Sequence, residues 1–176
     1  MKSKIAIARP DLAGAAELRD QLLEILSSDQ LTNGREVERF EATAAEQLEA
    51  PYAVAVSSCT AGLMLALRCL GVRGEVVLPS FTFFATGHAV LWNGLTPVLA
   101  DCDVGSFQID AADAARRMGA RTGALLAVHL FGCPAPVDEL ERLASAAGLA
   151  LIFDGAHALG ARWRGRGLGA RGDATV

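Results

Sequence analysis

Residues 149–154 read Leu-Ala-Leu-Ile-Phe-Asp, so five apolar residues run straight into a carboxylate, and His157 follows three positions later. A carboxylate leaving such a run is partly desolvated, and an unpaired charge there is costly. Asp154 therefore calls for a cation, which either an arginine of the chain or a ligand can supply. The stretch VSSCTAGLMLALRCL (56–70) sets Ser58, Cys59, Thr60 and Ala61 at the turn into an apolar helix. Free N–H groups and the helix dipole at such a turn suit an anion, and a plain N-cap by Ser58 or Thr60 accounts for the stretch equally well. That helix is apolar nearly all round, which predicts that it is buried and that its first donors need partners. PSFTFFATGHAV (79–90) brings Phe81, Phe83 and Phe84 to another such turn, as core residues or as a flat partner for a ring. His88 and His129 have no acidic partner at a readable spacing and are expected to be structural.

These groups need elements to hold them. Apolar residues at helical spacing mark amphipathic helices over 17–26 and 35–48, with a turn-rich loop at 27–34 between them. Short apolar runs then recur at 52–56, 75–78, 96–100, 123–128 and 149–153, alternating with helical stretches at 60–70, 83–92, 111–118 and 136–147. Continuous rather than alternating hydrophobicity predicts strands covered on both faces, hence an α/β protein, three-layer α/β/α, with a mostly parallel sheet. Polar residues follow each run: Ser57, Ser58 and Thr60; Ser80 and Thr82; Asp101 and Asp103; His129; Asp154 and His157. Ligands of open parallel sheets bind at this carboxyl edge. An anion cradle, an aromatic and a cation-seeking carboxylate together suit pyridoxal 5'-phosphate (PLP), through its phosphate, its ring and its pyridine nitrogen.

Bulk properties narrow the class. The chain has 176 residues, 52% hydrophobic and 20% charged, with a net charge of -4, which suits one domain and gives no nucleic-acid footprint. Cys59, Cys69, Cys102 and Cys133 form no C-x-x-C pair or zinc spacing, and no segment reads as a signal peptide or membrane span. A cytoplasmic protein without a metal site is expected. GLGARG (167–172) matches the dinucleotide fingerprint letter for letter, but no apolar strand precedes it and no helix follows, so it reads as a glycine-rich loop, with nicotinamide or flavin binding as the alternative. No lysine follows a glycine cluster, because Lys2 and Lys4 are the only lysines.

The motifs LTNGREVERFE, SSCTAGL, PSFTFFAT, TPVLADCDVGSFQID, AVHLFG and DGAHALGARWRGRGLGARGDATV, in this order and spacing, resemble the DegT/DnrJ/StrS sugar-nucleotide aminotransferases of PLP fold type I. The resemblance covers nearly the whole chain. It implies that the phosphate rests on Ser58-Cys59-Thr60-Ala61, with contacts from Thr60 and Ala61, and that Phe83 stacks on the ring. It further implies that Asp154 binds the pyridine nitrogen and that His157 lies near the phenolic oxygen. The implied reaction moves an amino group from an amino acid to a keto sugar nucleotide in polysaccharide or secondary-metabolite biosynthesis, by a homodimer when complete.

Two substitutions depart from the family pattern: Cys59 where Gly is usual and Gly155 where Ala is usual, the second expected only to loosen the turn. The family also continues, beyond a segment like the last residues here, to the Schiff-base lysine that holds the cofactor and to a smaller domain. The expectation is an N-terminal helix and loop over 1–34 and a C-terminally truncated part of the large PLP-binding domain over 35–176, inactive alone. The alternatives are a non-catalytic remnant that binds cofactor or partner, and a related sugar dehydratase.

Overall fold

The computed structural model describes residues 14–176, which fall into two compact units, one ending at Arg39 and one starting at Phe40. Lys2 and Lys4 lie outside the described residues. The first unit holds a helical turn (Ala15–Leu18), α1 (Arg19–Ser27) and the start of α2 (Arg35–Gln47), with the expected loop between the helices. Helix α1 buries none of its residues, and Leu22, Leu23 and Leu26 are exposed.

The second unit continues through α3 (Cys59–Cys69), β1 (Glu75–Pro79), α4 (Phe84–Trp92), β2 (Thr96–Ala100), α5 (Ala111–Arg117), β3 (Thr122–Val128), α6 (Val137–Ala147) and β4 (Ala150–Asp154). Short pairs β5 (Arg162–Trp163), β6 (Arg166–Gly167) and β7 (Ala174–Thr175) follow. Strands β2-β1-β3-β4-β7 form one sheet in that order, every pairing parallel. The chain steps outward from β1 to β2 and then returns past β1 to β3, so the order reverses between β1 and β3. Ligand crevices open at such reversals.

Buried parallel strands send alternate residues to opposite layers. Val76, Leu78, Leu126 and Ile152 pack with Leu63 and Leu67 of α3 and Ala89 and Val90 of α4. Val77, Leu125, Ala127, Leu151 and Phe153 pack with Ala114 of α5 and with Val137, Leu140 and Ala144 of α6. The three-layer arrangement is thus present. No helix among the described residues is long and apolar enough to cross a membrane, and none of their His, Cys, Asp and Glu side chains cluster to hold a metal ion.

Two local expectations differ. The run YAVAV forms no strand: Tyr52 and Val54 are exposed, and the N–H of Ala55 donates to Glu41 Oε1 at 2.8 Å. An apolar run becomes a strand only with a ladder partner, and the edge beside β4 is occupied by β7. Helix α3 buries only Gly62, Leu63 and Leu67, while Leu65 is 52% exposed, so it covers the sheet with one stripe. The GLGARG loop holds no dinucleotide-binding turn. A Cβ at Gly167 or Gly169 would lie 2.5 or 2.7 Å from the carbonyl oxygen of Leu48, and the N–H of Gly169 donates to that oxygen at 3.1 Å. These glycines permit a backbone crossing at the end of α2.

The two faces of α3 and its neighbours make distinct stability predictions. Leu126→Ala, at a site with no exposed surface, is expected to cost roughly 2–5 kcal/mol. Leu65→Ala is expected to stay within about 0.5 kcal/mol of the parent. Urea unfolding measures both, and a large loss at Leu65 would contradict the one-sided packing of α3.

Candidate functional site

Strand parity decides where Asp154 goes. Ile152 faces α3 and α4, Phe153 faces α6, and Asp154, one step further, returns to the α3/α4 layer at the sheet's carboxyl edge. It is 5% exposed. Its Oδ2 accepts from the hydroxyl of Thr86 on α4 at 2.9 Å. Its Oδ1 accepts from the N–H of Ala156 at 3.2 Å and faces the thiol of Cys59, at the start of α3, at 3.4 Å.

All of these donors are neutral, and no ion pair among the described residues includes Asp154. The contrast with Asp113 is informative. Asp113, on α5, is equally buried at 4%, but it pairs with Arg116 at 2.9 Å and Arg117 at 3.2 Å. The N–H of Asp101 (2.7 Å) and these guanidinium groups hold its carboxyl below the usual carboxylate range. The chain therefore matches one buried carboxylate with arginine and leaves the other with polar neighbours alone.

The turn before α3 lies against Asp154 through Cys59. Ser58 is the N-cap, its Oγ accepting from the N–H of Ala61 at 3.1 Å. Among the described residues no acceptor takes the N–H groups of Cys59 and Thr60 or the hydroxyl of Thr60, so three donors are left open at a helix start. Burial first, and then the charge of Asp154 and the bond to it, push the Cys59 thiol up to about 12. Gly155 does more than loosen its turn, because a Cβ there would meet Thr175 Cγ2 at 3.1 Å and Val176 O at 3.2 Å. Glycine lets the last residues close over β4, and the N–H of Gly155 donates to Val176 O at 2.6 Å.

Phe83 is the N-cap of α4, 63% exposed, with its ring 4.1 Å from that of Phe84. Thr60 and Phe83 line one groove of about 520 Å³ with Met64, Phe84, His88 and Trp92. His157 is exposed beyond β4, and its Nδ1 accepts from the N–H of Phe131 at 3.4 Å. The Phe131 ring lies parallel to it, 5.9 Å away. That bond leaves the His157 proton on Nε2.

Phe131 has φ 53°, an uncommon conformation for a bulky residue, as has Phe107 at φ 60°. Both rings approach Phe81, at 6.5 and 6.0 Å. His129 is fully buried, stacked on Phe153 at 4.7 Å, and its Nδ1 accepts from the N–H of Ala135 at 3.0 Å. Its Nε2 is buried without a partner among the described residues. Burial lowers the imidazole to about 4, opposed in part by the charge of Asp154.

Of the other strand-end residues, Asp103 closes a local turn by accepting from Ser106 and Gly105, and Ser80 faces Cys102 at 3.9 Å. Neither bonds to Asp154. Thr86 escaped the reading by residue type, although its i,i+4 spacing from Thr82 across the start of α4 was a visible signal.

Solved sugar aminotransferases share this fold. DesI, crystallised in the presence of its TDP-sugar product, superposes with a TM-score of 0.88 at 43% identity, covering 95% of this chain and 42% of DesI. NtdA from Bacillus subtilis, with bound cofactor PMP, superposes with a TM-score of 0.81 at 28% identity, covering 91% of this chain and 39% of NtdA. Among curated proteins, the dTDP-4-amino-4,6-dideoxy-D-glucose transaminase of Escherichia coli is 35% identical over 162 residues, 92% of this chain and 44% of that protein. The fold is the PLP-dependent transferase type I fold. The chain belongs to the DegT/DnrJ/EryC1/StrS aminotransferase family, whose model matches residues 13–176. The chain spans less than half the length of the curated relatives it matches.

Two titrations follow from this geometry. With its thiol held protonated, Cys59 is expected to alkylate more slowly at mildly alkaline pH than exposed Cys69 and Cys133. Asp154→Asn removes a charge that opposes the thiolate and should speed that reaction by roughly tenfold, as peptide mass spectrometry would show; an unchanged rate refutes the contact. For His129 the folded value is about 4 against 6.5 unfolded, so the unfolded chain takes up the proton first. Its contribution to stability is complete above pH 6.5 and declines toward pH 4, by on the order of 3 kcal/mol. Urea midpoints across that window should flatten in His129→Gln, and an identical acid limb in both proteins rules this assignment out.

Proposed function

We propose that this chain is part of the large domain of a PLP-dependent aminotransferase that acts on a keto sugar nucleotide with an amino acid as nitrogen donor. The observation that carries the reading is Asp154: a buried carboxylate with neutral donors only, in a chain that gives Asp113 two arginines. A protonated pyridine nitrogen is a cation of the right kind for that place. The N–H groups of Cys59 and Thr60 and the Thr60 hydroxyl provide the donors a phosphate needs. The residues present therefore fit the cofactor.

When bound, PLP supplies an electron sink for a carbanion formed on the substrate. Each residue of the chain has a separate task toward it. Asp154 holds the proton on the pyridine nitrogen, which keeps the ring electron-poor. The Ser58-Cys59-Thr60-Ala61 turn anchors the phosphate through Thr60 and backbone N–H groups, with Ser58 stabilising the turn by capping Ala61. Phe83, beside Thr60, stacks on the ring. His157, with its proton on Nε2, donates toward the phenolic oxygen. Residues 35–176 form the cofactor-binding region in this reading.

Pyridoxamine 5'-phosphate tests it without requiring a covalent link to a lysine. The 176-residue chain is expected to quench the ligand's fluorescence in a saturable titration. Asp154→Asn, which keeps the shape and removes the charge, should weaken binding by roughly tenfold or more. Equal affinity in both proteins would sink the assignment, as would a liganded crystal structure that pairs Asp154 with an arginine of the chain.

A further inference from the structure

Thr86 is the only hydroxyl among the described residues that bonds to Asp154. It has no exposed surface, and its Oγ1 lies 2.9 Å from Asp154 Oδ2 and 2.8 Å from the Oγ1 of half-buried Thr82. An ionised carboxylate only accepts, and a hydroxyl has one proton to give. The Thr86 proton therefore goes to Asp154, and the Thr82 proton goes to the Thr86 oxygen. Both hydroxyls are oriented by the charge at the end of the row. A helical threonine commonly turns its hydroxyl back to the carbonyl four residues earlier; Thr86 points it at Asp154 instead.

The remaining neighbours of the carboxylate cannot replace this bond. The Cys59 thiol is a weak donor at 3.4 Å, and the N–H of Ala156 reaches the other oxygen, Oδ1. The buried imidazole of His129, which also senses the charge of Asp154, makes no hydrogen bond to it: its Nδ1 accepts from Ala135, and its Nε2 has no partner among the described residues. The rotation of the carboxyl group about its last side-chain torsion is intrinsically soft. A bond from a fully buried, β-branched residue to one named oxygen removes that freedom.

We propose that Thr86, oriented by Thr82, is a positioning residue that holds the Asp154 carboxylate turned toward the pyridine nitrogen of the cofactor. The inference rests on the cofactor reading above. A positioning role acting through Asp154 has a signature that mere packing lacks, because it depends on the ring nitrogen. A ligand without that nitrogen does not sense it.

The experiment compares pyridoxamine 5'-phosphate with its deaza analogue, in which a C–H replaces the ring nitrogen, on the 176-residue chain. Thr86→Val keeps the shape and removes the hydroxyl. It is expected to weaken pyridoxamine 5'-phosphate roughly tenfold while leaving the analogue nearly unchanged. Thr86→Ser should restore most of the affinity. Thr82→Ala, at the half-buried end of the row, should give a smaller loss with the same selectivity, and it carries the test if Thr86→Val fails to fold. Equal weakening of both ligands, no weakening of either, or failure of serine to rescue overturns the positioning role. If the unsubstituted chain binds pyridoxamine 5'-phosphate no better than the analogue, or binds neither, the assignment of Asp154 falls first and this inference with it.

Discussion

A buried carboxylate without a counter-charge constrains everything around it. Taking a carboxylate out of water costs free energy that its hydrogen-bond donors must offset. Three segments contribute to it: α3 through the Cys59 thiol, α4 through the Thr86 hydroxyl, and the turn after β4 through the Ala156 N–H. The α3/α4 layer packs against Val76, Leu78, Leu126 and Ile152, and that apolar packing fixes the two helix starts where they meet the acid. Apolar packing thus builds the layer, and the layer in turn places the donors of the acid.

Much of this was legible from residue type and order. Every helix read from periodicity is present, as are the strands that begin at Glu75, Thr96, Thr122 and Ala150, because continuous apolar runs between turn residues have few other uses. Asp154 stood out because an acid directly after five apolar residues has no ordinary place in a core. The failures share a physical cause, which is that they depend on partners distant in sequence. YAVAV has the composition of a strand, but pairing is decided elsewhere, and Ala55 finds Glu41 instead. The composition of α3 suggests burial on all sides, yet Leu65 faces outward. Thr86 carries no charge, so nothing in its type announces that it meets Asp154 across 68 positions of sequence.

Glycine shows the same limit from the other direction. The letters of GLGARG invite a nucleotide reading, and the missing strand and helix argue against it. What the letters cannot convey is that Gly167 and Gly169 lie against the Leu48 carbonyl, where any Cβ would collide. Gly155, which looks like a minor departure from the family, is tied by close contact to Thr175 and Val176. In each case the residue is chosen by the backbone that passes it.

Register is what converts these local features into a site. Val128 of β3 lies beside Asp154 of β4, and the N–H of His129 donates to the Asp154 carbonyl at 2.9 Å. Side chains alternate, so Phe153 stacks on His129 while its neighbour Asp154 meets Thr86 in the opposite layer. A slip of one residue in this pairing would exchange the two layers, setting a carboxylate against the apolar α6 layer and a phenyl ring against Thr86. Both outcomes bury a group without its partner, so the apolar packing of Phe153 and the polar pairing of Asp154 select the same register. The precision with which the acid is aimed therefore derives from the same alternation that builds the core.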